Sequence, residues 1–93
     1  MTREIHSSKS FRKDYKRLSK AEVEATDCVI KKLQTDEVLE AKYRDHELIG
    51  NYAGFRECHV KPDLLLMYQK TDDGEIHILA LARITSHSNL FNS

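Results

Sequence analysis

The hydrophobic pattern of this chain changes period near its middle, from helical spacing to alternation. At the start, Arg3 to Ser7 alternates around Ile5, which predicts a short strand with Ile5 turned inward. Ser7 or Ser8 is placed to cap a helix running to about Leu18, because Phe11, Tyr15 and Leu18 recur at helical spacing. Ser19, followed three residues later by Glu22, is a capping-box pattern that opens a second helix. Ala25, Val29 and Leu33, with Ile30 beside them, give it a buried face, and it ends near Leu33 or Gln34. From Asp36 to Asn51 the pattern admits a further helical turn at Val38, Leu39 and Ala41, then a loop from Glu47 to Tyr52 that contains Gly50 and Asn51.

Alternation then takes over. Phe55, Glu57 and His59 share one face of a strand, and Arg56, Cys58 and Val60 share the other. Pro62 lacks an amide donor and stops that strand, which delivers Asp63 at a turn. Leu64 to Tyr68 has no polar face, the signature of a central strand covered on both sides. Thr71-Asp72-Asp73-Gly74 reads as a hairpin turn, and a last strand follows from Glu75 to Arg83. The predicted order is strand, helix, helix, three strands. It is an α+β plan in which a helical hairpin packs on one face of a small, mainly antiparallel sheet and leaves the other face open.

Length and composition narrow the class. Residues 1–93 amount to one domain with one core. No apolar run is long enough to cross a bilayer and the first residues lack the apolar stretch of a signal peptide, so a cytoplasmic protein without membrane contact is expected. Cys28 and Cys58, isolated and without metal-ligand spacing, read as free thiols. The formal net charge of zero argues against holding nucleic acid by bulk electrostatics alone. Charge is nevertheless segregated: Met1 to Lys20 carries seven Lys and Arg against two acids, and Ala21 to Glu40 two against six. Lys9, Lys13 and Lys16, with Arg12, Arg17 and Lys20, line the first helix as either a solvated face or a surface that tracks the phosphates of a large RNA.

Three histidines sit where a scaffold presents groups to solvent: His46 in a loop, His59 at a strand end and His87 in the tail. His77 reads as a packed or surface residue within the last strand, and His6 has no evident partner. Cleavage of RNA by its own 2′-hydroxyl needs a base, an acid for the departing 5′-oxygen and a cation for the phosphorane charge. His46, His59 and His87 can serve the proton transfers, Asp63 or Glu57 can orient them, and Arg56 or Arg83 can supply the cation, without a metal or other cofactor. A zinc or manganese site from the same residues competes, although their spacing matches no short ligand motif. Cys58 points away from His59 and is poorly placed for a Cys-His pair. Phe91 can close the core edge or stack on a base.

The run Tyr43-Arg44-Asp45-His46, the stretch Gly50 to Tyr68 and the tail Ser86-His87-Ser88-Asn89-Leu90-Phe91 together resemble the YafQ branch of the RelE/ParE toxin superfamily. The likeness extends over nearly the whole chain. It implies a RelE-like fold and a toxin of a type II toxin–antitoxin pair: an mRNA endoribonuclease acting in the ribosomal A site and inhibited by a DinJ-like antitoxin. It also implies a toxin–antitoxin complex that binds operator DNA through the antitoxin. On this resemblance His46, His59, Asp63 and His87 fall on catalytic positions. His87 is then the general acid, and the base is open between His46 and His59. Arg83 falls on a phosphate-binding arginine and Phe91 on a terminal aromatic, while Arg56, Glu57, Lys9, Lys13 and Lys16 are the further RNA-contact candidates. Glu57 stands where some relatives have Asp, and Leu64 where many have Trp. Two other functions suit the same fold: a ParE-like poison of DNA gyrase without nuclease activity, and an inactive co-repressor that only binds its antitoxin.

Overall fold

The computed structural model describes residues 2–86, and within them two helices lie on one face of a five-stranded sheet. The strands are β1 (Glu4–Ser7), β2 (His46–Glu47), β3 (Arg56–Lys61), β4 (Leu64–Asp73) and β5 (Ile76–Thr85), in the spatial order β1-β5-β4-β3-β2. Only β1 runs parallel to its neighbour, so the sheet is mainly antiparallel as expected. The helices α1 (Lys9–Lys16) and α2 (Lys20–Gln34) start where the sequence places them. Ser8 accepts from the Phe11 amide, and Ser19 and Glu22 close a reciprocal capping box. Each cap satisfies first-turn amides that would otherwise lack partners.

The covered face of the sheet holds the main core. Phe11 of α1 and Val29, Ile30 and Leu33 of α2 pack on Cys58, Val60, Leu64, Leu66, Tyr68, Leu79, Leu81 and Ile84. On the opposite face Leu65 and Met67 form a smaller cluster under Leu48, Phe55 and Ala82. The run Leu64 to Tyr68 is therefore buried on both sides, because side chains alternate between two apolar layers. Burial also pushes the Cys58 thiol up to about 12, and it and Cys28 are both free.

Three expectations need correction. Ile5 is 41% exposed rather than inward, because β1 is an edge strand; the buried side chain at its start is Arg3. The Arg3 guanidinium donates to Asp36 at 2.7 Å and Asp72 at 3.0 Å, which joins β1 to the end of α2 and to the β4–β5 hairpin. Val38 is 94% exposed, and the helical turn falls instead at Ala41–Tyr43. Finally, His46 lies on a strand rather than in a loop. That strand has only two residues, too few for alternation to reveal, and it exists because it pairs with β3.

Candidate active site

The open face of β3 forms the site, because residues two apart on a strand point the same way. Glu57 and His59 are such a pair, and the register sets His46 of β2 directly opposite Glu57. Both imidazoles face one oxygen: His46 Nε2 lies 3.7 Å and His59 Nε2 3.9 Å from Glu57 Oε1. These separations exceed a hydrogen bond and leave room for closure on a bound hydroxyl. Glu57 is 4% exposed, and its Oε2 is buried without a hydrogen-bond donor among the described residues. A buried carboxylate lacking donors is costly to hold, so its position between two imidazoles reads as chemistry more than as packing.

His46 is held from its other side. Its Nδ1–H donates to the Arg44 carbonyl at 2.6 Å, which leaves Nε2 as the nitrogen able to take up a proton. That carbonyl is presented by a left-handed turn, Arg44 having φ of 48°. The next residue, Asp45, is gripped by Arg56, whose Nη2 donates at 3.0 Å, and by the Tyr68 hydroxyl. Tyr68 belongs to the covered face and is buried, so the main core reaches round the sheet edge to fix the backbone that carries His46. Burial, then the bond to Asp45, drives the Tyr68 phenol well above its ordinary range, so it remains a donor. Asp45 and Tyr68 escaped the sequence reading; the carboxylate immediately before His46 was the available signal.

The remaining candidates are dispersed. Arg56 is engaged with Asp45 and, at 3.5 Å, with Glu47, and the Asp45 hydrogen bond raises its pKa further. Arg83 grips Asp14 of α1 through two hydrogen bonds of 2.7 and 3.1 Å, which likewise raises it, and Asp14 also accepts from the Ile84 amide at 3.2 Å. A register shift lies at Ala82, so that Leu81 and Ile84, three residues apart, both face the core. Asp63 occupies the β3–β4 turn, exposed, and makes no hydrogen bond or ion pair among the described residues. It lines a cavity of about 370 Å³ with Asp14, Lys61, Thr85 and Ser86, apart from the imidazoles. Ser86 immediately precedes His87, so Asp63 stands beside the point where the tail departs. His87 and Phe91 lie outside the described residues. Lys9, Lys13 and Lys16 are exposed on α1 without ion pairs among the described residues.

His77 donates to Asp72 at 2.6 Å and His6 meets Glu4 at 2.9 Å, both away from the site. No group of three His, Cys, Asp or Glu side chains among the described residues is arranged to hold a metal. Paired imidazoles beside a buried carboxylate, on the open face of a two-helix, five-stranded α+β fold, are groups suited to acid–base exchange with a bound hydroxyl.

The family model for the bacterial YafQ toxin of type II toxin–antitoxin systems matches residues 3–92, and the chain belongs to that family. It is 42% identical over 53 residues to the mRNA interferase toxin YafQ of Escherichia coli, a segment covering 57% of this chain and 53% of that protein. The chain spans between 53% and 61% of the length of the curated relatives it matches. Among solved structures, the Escherichia coli DinJ–YafQ toxin–antitoxin complex contains a chain similar to it at 32% identity, with a TM-score of 0.82, covering 98% of this chain and 99% of that one. A metal-bound toxin from Helicobacter pylori is 41% identical, with a TM-score of 0.80, covering 98% of this chain and 100% of that one.

Proposed function

We propose that the chain is an endoribonuclease that cuts messenger RNA in the ribosomal A site by acid–base catalysis and is neutralised by a DinJ-like antitoxin. The observation that carries this reading is the convergence of His46 and His59 on one oxygen of the buried Glu57. In the proposed reaction a neutral imidazole, His46 or His59, takes the 2′-hydroxyl proton, and the 2′-oxygen attacks the adjacent phosphorus. The P–O5′ bond breaks, His87 protonates the departing 5′-oxygen, and a 2′,3′-cyclic phosphate remains. Glu57 stabilises the imidazolium formed on proton uptake, and its burial keeps water from screening that attraction. Asp63 acts from the turn where the tail leaves, on His87 rather than on the β3 pair. Arg83, fixed by Asp14, faces the phosphorane charge.

The neutral net charge suits a ribosome-dependent enzyme, because the ribosome presents the codon while Lys9, Lys13 and Lys16 contact ribosomal RNA. The antitoxin covers the open face or displaces the His87 tail with an acidic segment that folds on binding. Its complex with the toxin then binds operator DNA through the antitoxin, in the cytoplasm. Among the described residues, no helix is long and apolar enough to cross a membrane.

Message cleavage on purified translating ribosomes, with chelator present, tests the reading. The expected result is cleavage by the wild-type chain and a loss of orders of magnitude in His59→Ala and His87→Ala. Equal cleavage by all three, or none by the wild type even without chelator, overturns it in favour of gyrase poisoning or simple co-repression. The metal-bound relative, with a copper-bound toxin also from Helicobacter pylori, gives a second reading, in which cleavage needs a metal; abolition of wild-type cleavage by chelator, restored by zinc or copper, selects it.

A further inference from the structure

We infer that a basic cavity beside His59, lined by Lys42, Arg44 and Lys61, is a subsite for a phosphate of single-stranded RNA flanking the scissile bond. The cavity measures about 510 Å³. It is bounded by the turn at Ala41–Tyr43 on one side and by Val60, Lys61 and Pro62 at the end of β3 on the other. Three cations and no carboxylate line it, in a chain whose formal net charge is zero. His59 belongs both to this cavity and to the pair on Glu57, so a strand whose reacting phosphate meets the imidazoles has its neighbouring phosphate led here.

The cations are available in a way that Arg56 and Arg83 are not. Arg44 and Lys61 form no salt bridge or side-chain hydrogen bond among the described residues. Among the described residues Lys42 pairs with Glu40 at 4.0 Å and lies 5.2 Å from the centre of the Tyr43 ring, a cation–π contact that steadies it at the rim. Arg44 is also the left-handed residue whose carbonyl receives the His46 Nδ1–H, so one non-glycine positive φ serves both places. Left-handed backbone at a bulky residue carries strain, which persists when the surroundings demand it. Here the strain places a guanidinium in the cavity and a carbonyl under His46. RNA fits better than an acidic protein segment because the cavity, lined by Tyr43, Val60 and Pro62 beside its three cations, continues into the His59 imidazole of the proposed reaction.

The inference rests on the proposed ribonuclease reading, and its test separates the two. A short 2′-O-methylated single-stranded RNA, which 2′-hydroxyl chemistry cannot cut, is titrated against the wild-type chain and a Lys42→Gln/Arg44→Gln/Lys61→Gln variant over a range of salt. Backbone amide shifts and thermal melting confirm that each is folded. Loss of one neutralised phosphate is expected to flatten the slope of log K against log salt by about 0.7. Cleavage on ribosomes is expected to show KM raised about tenfold or more with kcat largely kept, and Arg44→Lys alone to restore much of the loss. An unchanged salt slope and KM in the triple variant overturns the subsite while leaving the ribonuclease reading intact. Lost antitoxin binding with RNA binding intact also overturns it, and assigns the cavity to the antitoxin. RNA bound through these residues by a chain that does not cleave keeps the subsite and sinks the ribonuclease reading. A wild-type chain that neither binds nor cleaves sinks both.

Discussion

The two faces of the sheet use the same strands for opposite purposes. On the covered face, Cys58, Val60, Leu64, Leu66, Leu79, Leu81 and Ile84 meet the helices in one apolar layer. On the open face, the small cluster of Leu65 and Met67 adjoins a buried carboxylate, whose Oε2 lacks a donor among the described residues, and two imidazoles beside it. One face gains from burial of apolar surface and the other tolerates an unfavourable burial of charge. The difference suggests that stability resides on the helix side and activity on the other, with Tyr68 as the point where the two meet.

Substitutions can break that division in order of effect. Glu57→Gln should lower message cleavage by about a hundredfold or more. Removing a buried charge whose neighbouring imidazoles stand beyond hydrogen-bond distance should at the same time leave the melting temperature unchanged or higher. Single-turnover cleavage and calorimetry check the two halves, and a large stability loss would mean that Glu57 is structural. Leu66→Ala, on the covered face opposite Cys58, should cost about 2–5 kcal/mol in denaturant unfolding and leave cleavage by the remaining folded protein near normal.

Tyr68→Phe tests the link between the faces. It removes one hydroxyl and should cost about 1–3 kcal/mol, because Asp45 loses a buried donor. It should also lower kcat and move the His46 imidazole resonances, followed by NMR, with those of His59 unaffected. A stability loss without change at His46 would confine the Tyr68 hydroxyl to the fold. The smallest effect concerns acid stability. The hydrogen bonds from Arg3 and then Lys70 hold the Asp36 carboxyl at about 2 in the folded chain. A depressed folded value means the contribution is complete above about pH 4, the unfolded range, and is lost as pH falls through the folded value. Asp36→Asn should therefore flatten the fall in stability between about pH 4 and 2, measured by denaturant midpoints.

Much of the fold was legible because its signals are local. The capping box at Ser19 and Glu22, the helical spacing of Val29 and Leu33, and the unbroken run Leu64 to Tyr68 each act within a few residues and survived folding as read. Alternation likewise placed Glu57 and His59 on one face before any coordinates. Local pattern misread Ile5 and Arg3, since an edge strand joined parallel to β5 owes its burial to Asp36 and Asp72, distant in sequence.

The chain order alone determined four of the five strands, the helical hairpin and the histidines that a reaction could use. Tertiary structure decided which of them meet. Pairing of β2 with β3 brought His46 across to Glu57, and the same sheet left Asp63 at a turn beside the tail's exit. The long-range partners of Arg56 and Arg83 also appeared only in the fold, where Asp45 and Asp14 hold them. Periodicity reports which face a side chain takes, because that depends on backbone geometry a few residues long. Which groups share a site depends on strand register and crossing loops, which join residues far apart in the sequence and leave no periodic trace.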